Sequence, residues 1–232
     1  MFITFEGTTG SGKTTQLYLL AEYLKEQGYH VLTTREPGGT PIGDRVRDIL
    51  LDPQYSEMQP LTEVLLFSAS RAQLVGQVIR PHLERGGVVL CDRYADSTFA
   101  YQGYGHGVDL ALLRQITTLA TGGLTPDLTL YLDLPVEQGL TRRLDPAATQ
   151  GFPDAAFRQG FLRQLPLWEE WDRLDMQLLE FHQRVRQGYL ELAAAEPQRW
   201  VVIHASRPVD EVQREIRNHV EARWGGDPEN KR

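Results

Sequence analysis

Near the start of the chain, Gly7, Thr8, Thr9, Gly10, Ser11, Gly12, Lys13 and Thr14 follow the spacing G-x-x-x-x-G-K-[ST]. That order of residue types suits one task, holding a polyphosphate. Glycines let the backbone wrap so that successive N–H groups point at an anion, and a helix starting there adds its positive end. Lys13 is expected to reach the β- and γ-phosphates and the Thr14 hydroxyl to ligate Mg²⁺, with Thr15 completing the donor-binding run. A second group is Asp92-Arg93, which closes an apolar run. Its carboxylate can hold the shell of the same Mg²⁺, and its guanidinium can bind phosphate through two N–H groups at once. Further arginines (Arg35, Arg71, Arg142, Arg143, Arg173) fall in or near loops on the same expected edge. There, charge spread over a transferring phosphoryl group would be neutralised. The bland alternatives are a helix-capping Asp92, solvated arginines, and Phe67 and Arg71 as a core residue and a surface charge on one helix.

The elements that must position these groups alternate in type. Strands are expected at Phe2–Glu6, Tyr29–Thr34, Val88–Cys91, Leu128–Asp133 and Trp200–His204, from short apolar runs rich in β-branched residues. Helical periodicity marks Gly12–Gln27 (closed by Gly28), Ile42–Leu51, Pro60–Arg85, Val108–Ala120, Val136–Leu144 and Pro208–Trp224. Pro81 is expected to kink or break the long helix. The alternation predicts an α/β fold, a doubly wound parallel sheet of about five strands with helices on both faces. Nothing marks a second domain, so residues 1–224 read as one, and 225–232 as a polar tail whose composition predicts disorder. The 145–171 stretch mixes Gly, Pro and Ala with Phe152, Phe157, Phe161, Trp168 and Trp171, and sits where a helical lid over about 142–175 is expected.

Composition narrows the partners. The net charge of −7 argues against broad nucleic-acid or anionic-membrane binding. No apolar run approaches the ~20 residues of a membrane span, and the six histidines show no zinc-like spacing. With Cys91 alone, no intrachain disulfide can form, and a soluble cytoplasmic protein is expected. The guanine-selecting N-K-x-D pattern is absent, which points to ATP as donor. On these residues alone, a kinase for one of several nucleosides or nucleoside monophosphates and a non-catalytic ATP sensor both stay open.

Four further motifs lift the reading above the generic: Arg35-Glu-Pro-Gly-Gly-Thr40, Leu66-Phe-Ser-Ala-Ser-Arg71, Asp92-Arg-Tyr-Ala-Asp-Ser-Thr-Phe-Ala-Tyr-Gln-Gly103 and Pro126-Asp-Leu-Thr-Leu-Tyr-Leu-Asp133. Together with the phosphate loop they resemble bacterial thymidylate kinase, from Phe2 to about Trp224 apart from the 145–171 stretch. The resemblance implies transfer of the γ-phosphoryl group of ATP to dTMP, giving dTDP and ADP, with Mg²⁺ and as a homodimer. It implies that Phe67 stacks on thymine, that Arg71 bonds the base's O4, and that Thr98 and Gln102 read the rest of the base. Arg93 would bind the acceptor phosphate, Tyr101 would pack beneath the sugar, and Glu36 would lie near sugar and metal with Pro37 cis.

Two departures stand out. Bacterial relatives usually carry Asp or Glu where this chain has Thr9, and the lid is lengthened by the 145–171 stretch. With no arginine in the loop, the lid must supply positive charge. Arg173, in Asp172-Arg-Leu-Asp175, is the first choice for the catalytic arginine; Arg142 or Arg143 is the second, facing the adenine.

Overall fold

The structure, a computed structural model, describes residues 1–144, 173–175 and 177–224. The expected 145–171 insertion and 225–232 tail lie outside the described residues, as does the side chain of Arg143. Five parallel strands form one sheet: β1 (Phe2–Glu6), β2 (Val31–Arg35), β3 (Val88–Asp92), β4 (Leu128–Asp133) and β5 (Trp200–His204), in the order β2-β3-β1-β4-β5. Chain order reverses on either side of β1, so the loop after β1 opens at the topological switch point, where ligands bind in such sheets. Register carries the chemistry to one edge: Asp92 lies opposite Phe5 on β1 and opposite Arg35 on β2.

Strands β1 and β4 are buried along their whole length, which explains their unbroken apolar character. On one face Ile3, Phe5, Leu90 and Leu130 pack against Leu17, Leu20 and Leu24 of α1 (Lys13–Glu26) and Val212, Ile216 and Val220 of the last helix. The other face packs Phe2, Val89 and Cys91 against Leu74, Val75 and Ile79. Cys91 is fully buried there; its thiol donates to the Arg93 carbonyl at 2.9 Å, and burial pushes it well above its ordinary pKa.

Helix α2 spans Pro41–Leu51 and α3 Pro60–Leu74. Of the kink or break expected at Pro81, a break does not occur; the helix changes its winding instead. A π-turn over Val75–Ile79 widens the helix just ahead of the proline, the Arg80 N–H bonding Val75 O, and α4 (Arg80–Glu84) follows without interruption. Helix α6 runs Leu110–Thr121 rather than from Val108, because the Asp109 carboxylate caps it by accepting from Leu112 N at 2.8 Å. Helix α7 is Val136–Leu144 and the last helix, α9, Val209–Trp224. Three elements the sequence reading leaves unassigned matter most: the short α5 (Ala95–Thr98), the π-turn Phe99–Gly105 that continues it, and α8 (Leu179–Ala195), which packs against that turn.

Candidate active site

The donor end is built almost wholly from backbone. Gly7, Gly10 and Gly12 all take positive φ. A Cβ at Gly10 would come within 2.1 Å of the Gly139 carbonyl, and one at Gly139 within 2.3 Å of the Thr9 carbonyl. The loop and α7 therefore touch backbone to backbone, and no side chain fits between them. Lys13 is buried and folds back into the loop, donating to Thr8 O at 2.9 Å and Ser11 Oγ at 3.4 Å. Burial, and then the nearby Arg93 charge, lower it to about 7. A lysine held this way gains if phosphate oxygens replace the carbonyl. The Thr8 hydroxyl is buried without a partner, a further donor for an anion. Thr14 donates its hydroxyl to Asp92, so the two residues expected at the metal lie in direct contact. They present one hydroxyl and one carboxylate, hard oxygens of the kind Mg²⁺ takes beside water and phosphate oxygens. No cluster of three or more acidic, His or Cys side chains exists among the described residues to form a closed metal cage.

The acceptor end is built from side chains drawn from distant parts of the chain. Arg93 alone among the described non-glycine residues has positive φ, 66°. Its guanidinium donates to Ser97 Oγ and Tyr189 OH, both at 3.2 Å, and to Tyr101 OH at 3.1 Å, lying 5.0 Å from the Tyr101 ring centroid. Behind these stands Glu6, fully buried. It accepts from Tyr94 N at 2.8 Å, Ser97 Oγ at 2.6 Å and Tyr189 OH at 2.9 Å. Burial, and then Asp96, push Glu6 up to about 7, with Arg93 pulling the other way.

Arg71 is 1 % exposed, which removes the reading of a surface charge. It donates through Nε to Glu36 at 2.8 Å and through Nη2 to Thr98 Oγ1 at 3.0 Å, while Nη1 is buried with no partner. Glu36, raised above the usual carboxylate range by burial, is held by that ion pair and by the cis Glu36–Pro37 bond. The loop behind it is fixed by Gly38 N donating to Ser70 Oγ at 3.0 Å and Arg47 donating to Pro37 O at 3.1 Å. Phe67 is half-buried one turn from Arg71; Thr98 and Gln102 are buried on α5 and the π-turn.

The expected lid residues part company. Arg142 donates to Ala205 O at 3.0 Å, beside the loop after β5 and on the helix that abuts the phosphate loop. Arg173, expected to face the transferring phosphoryl group, has its partners here on α2 and α3. It donates to Leu50 O at 3.1 Å and forms a buried ion pair with Glu63; none of its described partners is a phosphate-loop residue. Two residues further on, Asp175 accepts from the Thr9 hydroxyl at 2.7 Å and lies close enough to Lys13 to favour its charge. The carboxylate missing at position 9 is thus met by one from 166 residues away.

Glu6, Glu63, Ser97, Asp175 and Tyr189 contact the candidate site residues or each other, and motif reading misses them. Glu63 carried a usable signal, since Glu63, Phe67 and Arg71 recur every fourth residue and share one stripe of α3.

Fold and phosphate loop together define the class: a P-loop phosphotransferase on a doubly wound parallel sheet. The family model of thymidylate kinases matches residues 5–216, and the chain belongs to that family. It is 56% identical over 215 residues to thymidylate kinase of Herpetosiphon aurantiacus, covering 88% of each chain. It is 55% identical to that of Deinococcus radiodurans, covering 93% of this chain and 94% of the other. The crystal structure of thymidylate kinase from Ehrlichia chaffeensis superposes with a TM-score of 0.71 at 33% identity, over 95% of this chain and 98% of that one.

Proposed function

We propose how this member of the thymidylate kinase family, which phosphorylates dTMP with ATP, carries the transfer: in one in-line step, from donor phosphates on Gly7–Thr15 to an acceptor held by Arg93. Lys13 and the loop N–H groups hold the donor phosphates; Arg142, beside the loop after β5, borders the adenine. When bound, Mg²⁺ neutralises charge on the phosphoryl oxygens, and Thr14 and Asp92 are the residues that would hold it. Arg93 neutralises the acceptor phosphate, with Tyr101, Ser97 and Tyr189 fixing the plane of its guanidinium. Phe67 stacks on thymine, Arg71 donates to its O4, Thr98 and Gln102 complete the base contacts, and Glu36 with Pro37 borders the sugar above Tyr101.

The observation that carries this reading is Arg71 Nη1, a buried donor with no partner, beside a half-buried Phe67. A nucleotide sensor has no use for such a second pocket; an acceptor base with a carbonyl satisfies it. The test is a panel of dTMP, dUMP, UMP, dCMP and thymidine with labelled ATP. Phosphorylation of dTMP above the rest is expected, and ADP release indifferent to the acceptor would overturn the reading.

A homodimer belongs to the same proposal. Exposed Ile42 and Ile49 on α2, Leu61 and Leu65 on α3, and Leu112 and Leu119 on α6 lie on helices that pack side by side. A second copy covering that face gives a dimer by sedimentation, and Leu65→Asp should yield monomers. No helix among the described residues is long and apolar enough to cross a membrane, and a cytoplasmic location suits an enzyme consuming ATP and dTMP.

A further inference from the structure

The acceptor base is read in part by Gln102, and an amide can present either its oxygen or its nitrogen to a ligand. Which one faces the base decides which pyrimidine is accepted. Thymine offers a donor at N3 between two carbonyls; cytosine offers an acceptor at N3 and an amino donor at position 4.

Gln102 is 1 % exposed and donates through Nε2 to Glu63 Oε1 at 2.5 Å. Glu63 is equally buried, its other oxygen paired with Arg173, and His106 Nε2 stands 3.6 Å from Oε1. Glu63 accepts from Arg173 through one oxygen and from the Gln102 amide nitrogen through the other, and planarity turns the Gln102 amide oxygen away from it. Arg173 is fixed in turn, its Nε on Leu50 O and its backbone N on Leu51 O at 3.2 Å. The carboxylate is thereby anchored from three elements: α2, α3 and the segment leading into α8.

We propose that Glu63 is a positioning residue for base selection: it locks the Gln102 amide with oxygen toward the base, so that the site takes a pyrimidine with N3–H and rejects cytosine. The proposal rests on the placement of thymine against Arg71 and Gln102 set out above. Arg71 donates at position 4 and Gln102 accepts at position 3, so both contacts fit thymine or uracil and both oppose cytosine. Sites built on such paired polar contacts discriminate by factors of about 10⁴–10⁵.

A glutamine at 63 preserves size but can donate or accept, so it leaves both amide orientations open. In Glu63→Gln the ratio of kcat/KM for dTMP over dCMP should fall at least tenfold, carried by a rise in KM for dTMP and a fall for dCMP, with kcat for dTMP within about threefold. Loss of packing alone would lower both substrates together and leave the ratio. A ratio within twofold of the parent in Glu63→Gln, while Gln102→Leu collapses it, overturns the role of Glu63 and leaves the base placement standing. A ratio unchanged in both variants overturns the base placement itself. If the charge left on Arg173 prevents the single variant from folding, the double variant Glu63→Gln/Arg173→Gln has no unpaired buried charge and is read by the same ratio.

Discussion

The two ends of this candidate site are built by different means. At the donor end, a run of consecutive residues carries recognition: glycines free the backbone N–H groups to face an anion, and the Lys13 side chain adds its charge. At the acceptor end it is a set of buried and half-buried side chains from β1, α3, the turn after β3, α5 and α8, each held by another. A loop of N–H groups fits any polyphosphate and so confers no choice of acceptor. Choice requires fixed donors and acceptors at particular points, and those come only from a packed interior. Generality is local in this molecule, and specificity is global.

Lys13→Ala is the most severe way to break that contrast. It should cut kcat by about 10³-fold or more, because a charge aimed at the transferring group is lost, while equilibrium binding of dTMP stays near the parent value. A comparable loss of dTMP affinity would show that the two ends are not separable. Arg71→Met attacks the other end and should cost both binding and fold. It leaves Glu36 buried without its partner, and breaking such a pair destabilises by about 3–5 kcal/mol, measurable as a lowered urea midpoint. A donor-end change of similar size, Thr14→Ala, should leave that midpoint nearly unmoved.

Phe67→Ala should raise the KM for dTMP with little change in kcat, since stacking on one base is worth about 1–3 kcal/mol. An equal change in the KM for ATP would contradict the division of labour. The smallest effect is a proton. Free Lys13 lies at about 7 because burial, then Arg93, disfavours its charge, and phosphate oxygens favour it. ATP binding at about pH 8 should therefore take up a proton, and the uptake should fade below about pH 6, where Lys13 is already charged. Calorimetry in buffers of differing ionisation heat reads this; no exchange at the higher pH would show that the lysine is not buried in the free enzyme.

The same contrast governs what the sequence discloses. The phosphate loop is legible because its parts are contiguous and its glycines are dictated by backbone geometry. Asp92-Arg93 is legible because an apolar run delivers it to the strand edge. Glu6 escapes notice because its partner Tyr189 is 183 residues away and nothing in either local pattern refers to the other. The Glu63–Arg173 pair is hidden for the same reason: only packing brings the two together. Pro81 signals a kink or a break, but the form the irregularity takes, a π-turn ahead of it, has no signature in periodicity. Thr9 reads as a loss, since the compensating Asp175 is remote.

Cys91 gives the chain an internal clock for its own opening. With its thiol sealed in β3 and bonded to the carbonyl of Arg93, a thiol reagent reaches it only when the central sheet comes apart. Labelling of that single thiol therefore counts unfolding events at the heart of the acceptor site, and dTMP should slow it by a factor of one plus its free concentration over Kd, so that each tenfold rise in nucleotide above Kd slows it about tenfold.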